Sequence, residues 1–198
     1  MDENGILKTA LEIAMERSRR TNVPEAELEG QEYYEKGKEL AGKYLKSGKF
    51  DMSGEFEKFK GEKKKKAMEG FEFVLLYNLA PPASASSLKD LRKVLEGLVL
   101  SKKNKKEAAA VCGELEQVFS EYLEQRGNIM NQLKKKYQSK MDQARKAMEK
   151  QAGMRLKMDV ERLPEFQKDW SGIMREMNAE FDSLLAGYKG KLKSLPAA

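Results

Sequence analysis

No histidine occurs anywhere in the chain. That removes the usual general base near neutral pH and the commonest metal ligand, so neither an imidazole triad nor a histidine-ligated metal centre can be built. A single cysteine, Cys112, excludes an intrachain disulfide; its neighbours Ala108, Ala109, Ala110 and Val111 read as a buried helix face, which favours a packed thiol over a reactive one. Aromatic residues make up only 8% of the chain and prolines number five. Long amphipathic helices fit that scarcity better than a compact α/β body. No glycine-rich Walker pattern and no strand-linked dinucleotide fingerprint is present. The longest strongly apolar stretch, Phe71 to Ala80, is interrupted by Glu72 and Asn78 and is too short to span a bilayer. The opening Met1-Asp2-Glu3-Asn4 lacks the basic start of a signal peptide. A cytoplasmic protein is expected, with no cofactor, no metal and no enzymatic role.

What is present is helical periodicity. Ile6, Leu7, Ala10, Leu11 and Ala14 recur at three- and four-residue spacing and predict a helix over about Gly5–Arg20, ended by Val23-Pro24. A second helix follows from Pro24-Glu25 to Ser47-Gly48, with Leu28, Tyr33 or Tyr34, Leu40, Ala41, Tyr44 and Leu45 on its buried face. Residues 49–61 read as a loop holding a short helical turn. A third helix runs from Glu62 to Leu79, opening on Lys63 to Lys66. Pro81-Pro82-Ala83-Ser84-Ala85-Ser86 cannot continue a helix, so residues 81–87 read as a linker between an N-terminal helical region, 1–80, and a long-helix region, 88–198. Ser87 with Asp90 looks like a capping-box variant opening a helix through Leu88, Leu91, Val94, Leu95, Leu98 and Val99, and Lys102, Lys103, Lys105 and Lys106 fit either a break near Ser101 to Asn104 or a solvated helix face.

The longest regular pattern is Leu115, Phe119, Tyr122, Arg126, Ile129, Leu133, Tyr137, Met141, Ala144 and Met148, in steps of four and three. After Leu163-Pro164 a second series passes through Phe166, Trp170, Ile173, Met177, Phe181, Leu184, Tyr188, Leu192 and Leu195. A reversal at Arg162 to Pro164 predicts an all-α fold: a long antiparallel coiled-coil-like hairpin or three-helix bundle with a smaller helical N-terminal part. Paired residue numbers would then sum to about 325, setting Phe181 against Ala144, Leu192 against Leu133, and Trp170 near Leu156 and Gly153. The rival is a kinked continuous helix, because no Ser, Thr, Asp or Asn cap stands beside Pro164.

Charge is unevenly placed. Residues 1–82 carry 15 basic and 16 acidic side chains, whereas residues 83–198 carry 23 and 16. Lys135, Lys136, Lys140, Lys146, Lys150 and Lys157 share one broad helix face and form a candidate polyanion-binding site for nucleic acid. Against this stand the lack of interleaved aromatics and the scarcity of arginine, which favour a solvated flank. Glu25, Glu29 and Glu32 lie on one helix face, but carboxylate-bridged metal sites in bundles normally add a histidine. Lys63 to Lys66 followed by Phe71 to Tyr77 suits a lipid surface in principle; a buried helix with a solvated first turn explains the same residues more simply.

The segment Ile6-Leu7-Lys8-Thr9-Ala10-Leu11-Glu12-Ile13-Ala14-Met15-Glu16-Arg17, with Glu39-Leu40-Ala41-Gly42-Lys43-Tyr44-Leu45, resembles the start of a small family of uncharacterised bacterial helical proteins of unknown function. The resemblance implies a bacterial cytoplasmic origin and transfers no catalytic or binding residues. Taken together, the residues predict a non-enzymatic scaffold or protein–protein adaptor, with a nucleic-acid-associated protein as the alternative. Self-association is expected, a dimer by default, because a long hairpin leaves an apolar edge uncovered.

Overall fold

In a computed structural model, residues 25–47, 50–152 and 159–198 are described, 25–26 and 144–152 as backbone alone. The helix expected over Gly5–Arg20 lies outside the described residues. The chain divides after Val74 into two compact units, and the described residues are all-α apart from one isolated bridge, Lys102 to Ala197.

The first unit contains α1 (Glu25–Lys46), α2 (Met52–Glu57) and α3 (Gly61–Tyr77) as far as Val74. Asp51 caps α2 by accepting a bond from the Gly54 amide at 3.1 Å. Gly61 turns the chain into α3 with a positive φ of 56°, a conformation that costs glycine nothing. Leu40, Ala41, Tyr44, Phe56, Ala67, Met68 and Phe71 are buried. Their rings meet edge-on: Phe56 to Phe71 at 5.4 Å, Tyr44 to Phe50 at 5.7 Å. Such pairs contribute about 0.5–1.5 kcal/mol each beyond their buried area. Leu28, assigned to the buried face by its spacing, is instead 48% exposed, because the α1 face that meets α3 runs through Tyr34, Gly37 and Ala41.

Two glycines set the distance between α1 and α3. A Cβ on Gly37 would stand 1.8 Å from the Ala67 carbonyl oxygen, and one on Gly70 would stand 2.0 Å from that of Tyr34. The helices therefore cross in direct backbone contact, which no side chain permits.

The second unit holds α4 (Ala85–Ser101), α5 (Lys105–Ala152), a 3-10 turn at Val160–Arg162 and α6 (Pro164–Ser194). The α4 helix starts three residues before Leu88, inside the stretch read as a linker. Its N-cap is Ser84, which accepts from the Ser87 amide at 3.2 Å while the Ser87 hydroxyl accepts from the Ser84 amide at 2.9 Å. Asn104 and Glu107 bond reciprocally at the start of α5, so the break at 101–104 is present and capped.

The α5 and α6 helices pair antiparallel, a hairpin rather than a kinked helix. Pro164 is tolerated at N1 of α6 with no side-chain cap. The register differs from the one expected. Tyr137 meets Phe166 at 5.7 Å and Tyr122 meets Phe181 at 4.7 Å, so paired numbers sum to about 303 rather than 325. The physical reason is the place of reversal. The α5 helix ends at Ala152 and the chain returns through the 3-10 turn, instead of turning tightly at Pro164. Phe181 consequently stacks on Phe119, 27° off parallel, and Trp170 packs beside Leu133, Tyr137 and Phe166. Gly153 and Leu156, its expected neighbours, lie outside the described residues. Leu185, not Leu184, faces inward: it is 4% exposed and Leu184 is 57%.

Polar clasps close this unit. The buried Lys102 donates to the Leu195 carbonyl at 3.0 Å, and the Lys103 and Ala198 amides bond to Pro196 and Ser101. Lys189, whose ammonium burial holds below its ordinary pKa, donates to the Leu79 carbonyl at 3.0 Å. Arg126 reaches the Ala83 carbonyl, and Pro82 is fully buried.

Candidate functional site

The basic face of α5 is only partly free. Lys134 pairs with Glu161 at 2.5 Å and Lys136 with Asp169 at 3.1 Å. Lys135 is exposed, and Lys140 lies 5.6 Å from the centre of the Tyr137 ring. Lys146 and Lys150 fall where the backbone alone is described, and Lys157 lies outside the described residues. The Tyr137 hydroxyl donates to Asp169 at 2.8 Å. That bond, together with Lys136, holds the Asp169 carboxyl below its ordinary pKa and, with burial, raises the Tyr137 phenol. A carboxyl depressed in the folded state adds stability above its ordinary value, lost as pH falls through about 4 towards the folded value. Tyr137→Phe should therefore lose less melting temperature between pH 7 and pH 3 than the parent chain. An identical loss in both would show that Asp169 is not tuned by this bond.

The acidic residues of α1 are engaged locally. Glu29 pairs with Lys63, and Glu32 with Lys36 at 2.6 Å, which lowers the Glu32 pKa and raises that of Lys36. The lysines that open α3 are engaged too, Lys65 with Glu62 and Lys66 with Glu69. Among the described residues, no group of three or more His, Cys, Asp or Glu is placed to hold a metal ion. Also among the described residues, no helix is long and apolar enough to cross a membrane.

An apolar groove lies where α4 packs against α5. Leu95, Val99, Leu100, Ala109, Cys112 and Gly113 floor a groove of about 500 Å³. Periodicity explains the stripe on α5: Lys106, Ala109, Gly113 and Glu116 recur at steps of three, four and three, one helix face. A Cβ at Gly113 would meet nothing within 4 Å, and Leu100 is 42% exposed. Arg92 and Glu116 close one end with an ion pair at 2.6 Å. Sequence reading missed this groove because Ala109 and Gly113 are too small to mark an apolar stripe.

Cys112 sits in the floor, 4% exposed, with its thiol pushed up to about 11 by burial. At pH 8 roughly one thiol in a thousand is then ionised. It should resist iodoacetamide in the native chain and react fully in denaturant. Rapid native labelling would contradict this burial.

A model of a family of unknown function, DUF6657, matches residues 53–194. The chain belongs to that family. The matched span of DUF6657 takes in nearly all of α2 and the whole of α3 to α6, and therefore the groove. The earlier resemblance to a family of unknown function rested on residues 6–17 and 39–45, which lie outside the span. Membership of a family of unknown function is therefore as expected, but the match runs over residues 53–194 rather than the N-terminal quarter. No curated protein and no solved structure matches the chain.

Proposed function

We propose that the chain is a non-enzymatic, cytoplasmic helical scaffold that binds another protein along the α4–α5 groove. The observation that carries this reading is the groove itself. It is open and apolar, long enough for about two turns of helix, and exposes Leu100 to solvent. Further support comes from the engaged titratable groups elsewhere, since Glu29, Glu32, Lys134, Lys136 and Asp169 all have local partners.

Photo-crosslinking tests it. With benzoylphenylalanine at Ala109, irradiation in the native host is expected to give a discrete protein adduct that survives nuclease; the same group at Ser183, on the far face of α6, is expected to give none. Absence of an adduct at Ala109, or equal adducts at both positions, would sink the proposal.

Polyanion binding through Lys135 and Lys140 is the second reading, favoured by their exposure. It is weaker than the sequence alone implied, because Lys136 is spent on Asp169. Lys135→Glu with Lys140→Glu should abolish salt-sensitive binding to duplex DNA if that face is used.

A further inference from the structure

The groove is not electrically uniform. At one end stand Arg92 and Glu116, already bonded to each other, with Glu96 midway along α4 between Arg92 and Leu100. At the other, past Leu100 and Ala109, stand Lys103, Lys105 and Lys106, all exposed and with no ion pair among the described residues. Lys106 lies three residues before Ala109 and seven before Gly113, on the same α5 stripe, so its charge stands about one helical turn beyond the last lining residue of the groove on α5. The Lys103 backbone is held in the turn between α4 and α5, where its amide donates to the Pro196 carbonyl at 3.0 Å.

We infer that the α4–α5 groove binds an amphipathic helix of a partner protein, with carboxylates at the end that lies over Lys103, Lys105 and Lys106. This rests on the scaffold reading above and gives it a partner chemistry. From Arg92 to Leu100 the groove spans eight residues of α4, about 12 Å, so about two turns of the guest helix contact its floor. Apolar guest side chains at i, i+3 or i+4 and i+7 fit over Leu95, Val99 and Leu100, while Gly113 leaves room for the largest of them. Glu96 midway along the groove and the outer edge of Glu116 at its far end disfavour a uniformly acidic guest, and Glu116 accepts a cation there. For the same reason a nucleic-acid strand is a poor occupant: its phosphates would run from the three lysines straight into Glu96 and Glu116, over an apolar floor.

The test uses the full chain and two labelled 14-residue probe peptides with an identical leucine stripe. One carries three glutamates at one end and lysine at the other; its control carries lysine throughout. Fluorescence anisotropy is expected to show the glutamate peptide binding at least tenfold more tightly than the control. Reversing Lys103, Lys105 and Lys106 to glutamate should invert that preference, and Gly113→Phe should abolish binding of both. Ala109→Trp serves as a second block of the same groove should Gly113→Phe lower the melting temperature. Equal binding of both peptides that Gly113→Phe or Ala109→Trp removes would overturn the charge assignment while leaving a helix-binding groove intact. Binding that neither block alters, or no saturable binding at all, would overturn the groove as a docking site. Sedimentation equilibrium closes the remaining possibility, because a dimer broken by either block would make a second copy of the chain the occupant and overturn the inference.

Discussion

Gly37→Val is expected to leave residues 25–74 without a fixed tertiary structure. The α1 backbone lies so close to α3 that even a methyl group at position 37 would stand 1.8 Å from the Ala67 carbonyl oxygen. Overpacking typically costs about 1–3 kcal/mol where side chains can shift aside. Here the obstacle is backbone, so the helices must separate as bodies. Separation also pulls apart the second close approach, Gly70 against Tyr34, and unpacks Tyr44 and Phe56 from Phe71. The loss should therefore exceed about 3 kcal/mol. Hydrogen exchange read by mass spectrometry checks it, with protection expected to vanish across α1 and α3. Gly42→Ala is the matched control, since nothing lies within 4 Å of a Cβ there and the change should be neutral or raise stability by up to about 1 kcal/mol. If both variants keep full protection, the helices are not in backbone contact.

That contact marks where the sequence stops being legible. Periodicity finds α1, α3 and the long helices because three- and four-residue spacing of large apolar groups is a local property. Gly37 and Gly70 carry no such signal: a glycine in a helix reads as a weak point until the partner backbone is seen. The hairpin was readable from the matched series and Pro164, but its register was not. Setting the reversal at Pro164 assumed that every residue before it belongs to α5, whereas the helix ends at Ala152 and the return path displaces the pairing by about 22 positions. The candidate site suffered from the same limit. Six lysines on one face are visible in one dimension, yet the carboxylates that engage one of them and a neighbour, Asp169 on Lys136 and Glu161 on Lys134, come from residues 33 and 27 positions away. The groove was invisible for the opposite reason, being made by what is small.

Phe181→Ala should be the most damaging single change in the second unit. In the observed pairing the Phe181 ring is 4% exposed, stacks on Phe119 at 5.7 Å and meets Tyr122 at 4.7 Å; the Tyr122 hydroxyl in turn donates to Asn178 at 2.5 Å. Truncation leaves a cavity between α5 and α6, and α6 is also tied through Lys189 to the Leu79 carbonyl and through the Leu195 carbonyl to Lys102, so the site has little freedom to collapse. The expected cost is about 3–5 kcal/mol, read as a lowered urea midpoint. The neighbouring leucines sharpen the comparison. The series read from sequence passes through Leu184, whereas the structure turns Leu185 inward. Leu185→Ala should cost about 2–5 kcal/mol, and Leu184→Ala should stay within about 0.5 kcal/mol of the parent. The reverse order would mean that α6 is rotated by about 100° from the orientation described, one residue of helix, and that Phe181 does not face Phe119.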